Sequence, residues 1–409
     1  MTSSRSDGQP LQRHPGTVLE VFLVFLRLGL TSFGGPVAHL AYFREAFVER
    51  REWLSEKAYA DVVALCQFLP GPASSQVGMA LGLQRAGYGG MLAAWFAFTA
   101  PSALLLAAFA YGVSAAGDLS EAGWVSGLKA VAVAVVAHAV LGMARSLTPD
   151  APRASIAATA MVLVVLLPHP FVQVGAIAVA GLAGLLWLRP ESSEQSAEDA
   201  FTVRVSKKLA AACLGLFAVL LAGLPLFAGL TGNAVAQLMD TFYRAGSLVF
   251  GGGHVVLPLL EAETVAPGLV DPETFLAGYG AAQAVPGPLF TFAGFLGAST
   301  TQGPGGAVGA LIATVAIFLP ALLLTVGALP FWESLRSSRV ARRALMGVNA
   351  GVVGILAGAF YDPVLTAGVL ETGTPALAVA VFGFVALSSW KAPAWTVVLG
   401  AGVLGAIVL

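Results

Sequence analysis

The sequence predicts an all-α polytopic membrane protein built from two inverted-topology repeats. Three observations predict it: a composition too apolar for a soluble domain, a set of motifs that recurs about 217 residues later, and charges that change sign between matched loops. Of the 409 residues, 57% are hydrophobic and 11% charged, against about 25% charged in an ordinary soluble domain. Runs such as MLAAWFAFTAPSALLLAAFAYGV (91–113) and LAAACLGLFAVLLAGLPLFAGL (209–230) reach the ~20 residues that cross a bilayer. The first seventeen residues are polar and Arg27 interrupts the apolar run that follows, so no cleavable signal peptide is expected.

The repeat is read by self-comparison. RLGLTSFGG (27–35) matches RAGSLVFGG (244–252), and Gln67-x-x-Pro70-Gly71-Pro72 matches Gln283-x-x-Pro286-Gly287-Pro288. AGYGG (86–90), APSALLL (100–106) and LKAVAVAVV (128–136) find QGPGG (302–306), LPALLLT (319–325) and LMGVNAGVV (345–353), in the same order. The chain therefore divides into a first repeat (1–188), a polar cytoplasmic linker (189–208), one extra transmembrane helix (209–230) and a second repeat (231–409).

Charge sets the orientation of each repeat. Segment 40–57 carries Arg44, Arg50, Arg51 and Lys57, whereas its partner 257–273 has four acids and no Lys or Arg. Loop 114–123 holds Asp118 and Glu121; its partner 331–343 holds Arg336, Arg339, Arg342 and Arg343. Cytoplasmic loops collect Lys and Arg, so the two halves lie upside down relative to each other, as in inverted-repeat transporters. The extra helix supplies the inversion, and the N-terminus is expected in the cytoplasm.

Parity then dictates hairpins. If 40–57 is inside and 114–123 outside, an odd number of crossings separates them, and helix 91–113 is one. Segment 58–83 must enter and leave on one side, with arms of about 12 residues or roughly 18 Å, too short for a ~30 Å core. The same holds for 18–48 and 236–262. Each repeat is thus expected to hold two helical hairpins, broken at FGG and PGP, plus about four transmembrane helices. Proline ends one arm and starts the next, and glycine permits the reversal. Non-helical backbone at membrane depth must be buried in protein or line a cavity, and the freed N–H groups of the second arms form an anion site.

The candidate binding residues follow: the tips Gly34, Gly35, Gly251, Gly252, Pro70, Gly71, Pro72, Pro286, Gly287 and Pro288; the flanking Gln67 and Gln283; and the hydroxyls Ser74, Ser75 and Thr291 just after the tips. Arg27 and Arg244 occupy matched places in apolar arms, where an arginine is costly and functional by default, and a planar guanidinium suits a tetrahedral oxyanion. His39, His254 and, more weakly, Glu45 are the proton-coupling candidates; capping and packing are the competing roles for all these residues. Lys129 and His138 share a helix whose face the sequence leaves open, and Asn349 suits helix packing. No phosphate loop, zinc motif, nucleophile elbow or nucleic-acid signature is present, Cys66 and Cys213 lack metal or disulfide spacing, and neither cofactor nor metal is expected. The chain is read as a carrier and not an enzyme, with a lipid scramblase or membrane enzyme as the rival from another class.

FGGP with REWLSE (51–56), LCQFLPGPASSQVGMALG, FGGGHVVLP (250–258) and AAQAVPGPLFTFAGFLG (281–297) resemble the chromate ion transporter family in its long-chain, two-domain form, from about residue 20 to the C-terminus. The resemblance implies a multi-pass bacterial inner-membrane protein exporting chromate in exchange for protons, with the lipid bilayer as its surroundings and a homodimer as the oligomer to test. It places function at the Gly-Gly and Pro-Gly-Pro tips and the paired arginines. Gly253 stands where the first tip has Pro36, so the two pockets are expected to differ. Sulfate or another oxyanion is the alternative cargo.

Overall fold

A computed structural model describes residues 16–115, 122–167, 170–189, 201, 203, 205–250 and 256–409, and the described residues form helices without strands. The expected Gly251, Gly252 and His254 lie outside the described residues. The first repeat opens with α1 (Val18–Thr31) and α2 (Gly35–Arg44), the latter prolonged by a π-helical turn over Glu45–Arg50. Phe25, nine residues before Gly34, meets Phe43 and Phe47 at ring-centroid distances of 5.6 and 5.1 Å. That contact requires α2 to fold back along α1, so the FGG break is a hairpin. Edge-to-face and offset rings of this kind add roughly 0.5–1.5 kcal/mol per pair beyond burial.

Next come α3 (Glu56–Phe68) and α4 (Ala73–Ala115), joined through the Pro-Gly-Pro tip. The sequence reading separates a short arm ending at 83 from a span beginning at 91, and the backbone leaves helical geometry between them, at Ala86 (φ −142°, ψ 26°) and Gly87 (φ 67°, ψ −160°). At this bend the two limbs press together where Gly82 faces Gly90: a Cβ on Gly82 would lie 2.4 Å from the Gly90 carbonyl oxygen. Small residues let helix backbones approach in this way.

Four helices complete the described organisation of the first half and its connection: α5 (Gly123–Leu147), α6 (Ala151–Leu166), α7 (Pro170–Trp187) and the additional α8 (Lys207–Thr231). Most of α8 faces outward, consistent with an extra helix outside the repeat core. The second half repeats the order as α9 (Ala234–Leu248), α10 (Val256–Thr264), α11 (Pro272–Ala284), α12 (Phe292–Ser299), α13 (Gly306–Ala328), α14 (Trp332–Ser337), α15 (Arg339–Ala359), α16 (Thr374–Ser388) and α17 (Ala394–Val408).

Pairing between helices is reciprocal. α1 packs on α4 as α9 packs on α13, and the last two helices of each repeat cross to the other: α16 and α17 lie against α5, α6 and α7 against α15. Glycine makes both crossings close, with the Gly127 position 2.2 Å from the Ala401 carbonyl oxygen and the Gly347 position 2.1 Å from that of Ala180, measured from an added Cβ. The repeats are therefore interlocked, not side by side. Asp61 on α3 adds a polar tie, accepting the Phe201 N–H at 3.0 Å and the Trp332 indole N–H at 2.9 Å.

Candidate functional site

Each Pro-Gly-Pro tip docks on the glycine-tip region of the opposite repeat. The Gly71 N–H donates to the Val249 carbonyl at 2.7 Å, and the Gly287 N–H donates to the Ser32 carbonyl at 2.9 Å. Ser32 and Val249 are 217 residues apart, Gly71 and Gly287 216, so one bond is the repeat image of the other. Such reciprocity is the mark of a two-fold arrangement. Glycine is required at both tips: φ is +116° at Gly71 and +100° at Gly287. A Cβ would meet Ala321 at 3.2 Å in the first case and Ser102 Oγ at 2.8 Å in the second. Ser102 follows Pro101 and Ala321 follows Pro320, so each tip abuts a helix at an internal proline.

The centre formed this way is buried and polar. Among the described residues, Ser32 Oγ, Ser75 Oγ, Thr99 Oγ1, His39 Nε2 and Gln283 Nε2 are buried without a hydrogen-bond partner. Leaving one such group unpaired costs about 1–3 kcal/mol, and each calls for an explanation such as a water or a ligand. His39 is fully buried, edge-on to Phe98, with Nδ1 3.4 Å from Ser74 Oγ. Ser74 and Ser75 thus lie at the centre, while Gly35, half-buried, begins α2 behind Gly34 in the left-handed conformation. Pro70, Pro72, Pro286 and Pro288 hold the two reversals.

Other candidates are placed differently. Thr291 is buried, but its hydroxyl donates to the Pro288 carbonyl at 2.8 Å, and the arm there starts as a 3₁₀ turn. Gln67 is exposed, whereas Gln283 is buried. In the first repeat the amide at the tip comes instead from Gln76, whose Nε2 donates to the Pro70 carbonyl at 2.9 Å.

The arginines do not share a void. Arg27 is exposed and lines a groove with Tyr42, Glu45, Arg50 and Arg51 on the first hairpin. Glu45 pairs there with Arg50. Arg244 is held between α9 and α10 by Asp240 at 2.7 Å and Glu263 at 3.0 Å. The repeat equivalents of those acids, Leu23 and Ala46, carry no charge. The repeat thus preserves the arginine while changing its surroundings.

Beside the first tip opens a cleft of about 450 Å³ lined by Gly34, His138, Gln283, Ser388 and Lys391, with Val135 and Leu387 on its apolar side. Gly34 and Gln283 were legible as candidates; His138 had no assigned face, and Lys391 and Ser388 went unnoticed. A usable signal was the length of α16 and α17. At 15 residues each, about 22 Å, they fall short of a ~30 Å core. Their connecting turn reaches the first tip, where Trp395 meets Phe33 at 5.5 Å.

Comparison with known sequences finds one family twice along the chain. The family model described as Chromate transporter matches residues 19–185 and 236–406. The chain is 28% identical to the chromate transport protein of Pseudomonas aeruginosa over 402 residues, covering 96% of this chain and 93% of that one. It is 27% identical to an uncharacterized transporter of Methanocaldococcus jannaschii over 350 residues, 84% of each. The chromate transport protein of Cupriavidus metallidurans is 26% identical over 348 residues, covering 84% of this chain and 82% of that one. No solved structure matches.

Proposed function

The chain belongs to the chromate transporter family, and from that premise we propose that it is a secondary carrier moving chromate out of the bacterial cytoplasm in exchange for protons. The reciprocal pair of tip bonds is the observation that supports this most. Each Pro-Gly-Pro tip is tied to the end of the opposite repeat's first helix, and buried hydroxyl and amide groups without protein partners lie beside these tips. A scramblase or scaffold has no use for such a centre; an oxyanion, which accepts from many donors, does. Alternating access in inverted-repeat carriers proceeds by rocking one set of elements against the other around a site of this kind.

His39 is the proton acceptor in this proposal, because its Nε2 has no partner and Nδ1 lies 3.4 Å from the Ser74 hydroxyl of the second hairpin tip. Arginine-bearing segments 40–57, 145–153 and 339–343 face the cytoplasm in this reading, as the positive-inside bias requires. The test is chromate movement into inside-out membrane vesicles with and without an imposed proton gradient. Uptake that the gradient accelerates and His39→Gln uncouples supports the exchange; uptake indifferent to the gradient overturns it. Sulfate is a tetrahedral dianion with the same acceptor geometry. Faster sulfate than chromate transport would transfer the assignment to that anion.

A further inference from the structure

Two clefts occupy matching places in the two repeats and carry opposite charge. One is the 450 Å³ cleft at the first tip. The other, about 250 Å³, is lined by Val164, Val165, Glu261, Ile355 and Asp362. His138 and Ile355 stand 217 residues apart, and Leu387–Ser388 lie 223 residues from Val164–Val165. The clefts share a helix pairing, α5 with α16 in one and α15 with α6 in the other, but differ in their third wall, α11 against α10, and in their chemistry. Where the second presents two carboxylates, the first presents Lys391 and His138, and among the described residues no carboxylate lines it.

Resting on the transport reading, we propose that the basic cleft is the oxyanion-binding site, with Lys391 as its charge and the Gln283 amide as its directed donor. Gln283 is more than nine-tenths buried, and its Nε2 lacks a hydrogen-bond partner. A buried amide whose nitrogen has no partner is a donor waiting for an acceptor.

Gly34 adds backbone. It sits in the left-handed conformation at the start of α2 with no side-chain cap, so the first N–H groups of that helix are open to an anion.

Lys391 supplies the charge from the turn between α16 and α17. Its φ is +53°, a conformation costing an L residue about 1–2 kcal/mol, where glycine would sit freely. Bonds from the Trp390 N–H to Val385 and from the Ala392 N–H to Ala386 close the turn around it. Lys391 is exposed in this cleft, where its ammonium meets water and any anion that enters. The cleft has room for a dianion together with waters that bridge it to Ser388 and His138.

The test uses the full chain, purified in detergent and reconstituted in liposomes, with chromate and sulfate as probes. Two readouts are taken: calorimetric binding, and transport with KM and kcat separated. Lys391→Gln should weaken chromate binding and raise KM at least tenfold while the melting temperature stays unchanged, because the side chain projects into an open cleft. Lys391→Arg, which keeps the charge, should return both values to within about threefold of the parent. Gln283→Leu should also weaken binding. A parent that transports chromate while Lys391→Gln keeps its KM and affinity overturns the cleft and leaves the carrier reading intact. A parent that binds chromate, with binding lost in Lys391→Gln, but moves none across the bilayer upholds the cleft and overturns the carrier. No binding of either anion to the parent overturns the cleft.

Discussion

Replacing Gly287 by alanine tests the docking of the tips most directly. Two effects add at this position. At φ +100° a side chain is strained whatever the space, by about 1–2 kcal/mol. The new Cβ would also lie 2.8 Å from Ser102 Oγ and 3.2 Å from the Phe98 carbonyl oxygen. Ser102 can rotate away only by giving up its hydrogen bond to the Thr99 carbonyl, now 3.1 Å, and the backbone carbonyl cannot rotate at all. Overpacking of this kind costs about 1–3 kcal/mol, so the total is about 2–5 kcal/mol, part of it taken from the Gly287–Ser32 bond. Gly71→Ala has the same strain but a looser contact, 3.2 Å to the Ala321 methyl, and should lose less. Gly215→Ala, where an added Cβ meets nothing within 4 Å, is the control and should be neutral or slightly stabilising. Thermal unfolding in detergent, followed by size-exclusion fluorescence, gives the order: Gly287→Ala lowest, then Gly71→Ala, then Gly215→Ala. Adding Ser102→Gly to Gly287→Ala should recover the steric part alone. If Gly287→Ala melts and transports like the parent, the reciprocal tip contacts do not hold the repeats together.

Three further outcomes follow from the same geometry. Arg244→Gln strands Asp240 and Glu263 without their cation, a loss of about 3–5 kcal/mol when a largely buried pair is broken; adding Asp240→Asn and Glu263→Gln should restore the melting temperature, while Arg27→Gln on its exposed groove should leave it unchanged. Asp61→Ala removes the acceptor of both the Phe201 and Trp332 N–H groups, at about 1–3 kcal/mol for each donor left unpaired, and should raise protease sensitivity between residues 189 and 208. Asp150 caps α6 and bonds the Arg153 side chain, which holds its carboxyl below the ordinary value of about 4. Its folded-state pKa is depressed, so the cap contributes fully above about pH 4 and is lost as the pH falls through that depressed value; Asp150→Ala should destabilise by about 1 kcal/mol at neutral pH and by progressively less as the pH is lowered below about 4.

Much of this architecture is legible in the sequence because duplication writes each essential feature twice. Helix breaks, hairpins and the correspondence of α4 with α13 follow from motifs that recur in register, and the positive-φ glycines are the residues the reversals demand. Three-dimensional partnership is less legible. Asp240, one turn before Arg244, is a readable i,i+4 partner, but nothing local announces that Glu263 on the next helix closes on the same guanidinium. Gln67 and Gln283 are identical in motif yet differ in burial, because the crossing helices that cover Gln283 come from distant parts of the chain. Lys391 escapes any reading that seeks paired marks, since its repeat counterpart is not a cation.

That last failure identifies where the chemistry of such a protein is encoded. Features shared by the repeats, namely tip glycines, internal prolines and small residues at helix crossings, satisfy demands that the two-fold arrangement makes on both halves alike. A carrier with perfectly equivalent halves would present the same surface to both sides of the membrane. A directional cycle driven by an ion gradient does not require unequal clefts, because the gradient supplies direction; selectivity and charge balance during reorientation do depend on where the fixed charges stand. Lys391 and His138 in one cleft against Glu261 and Asp362 in the other separate a surface that attracts a dianion from one that repels it. Charge substitutions that exchange these characters, Lys391→Glu with Glu261→Lys, should therefore alter anion affinity far more than they alter the fold. The backbone contacts that interlock the repeats involve none of the four side chains.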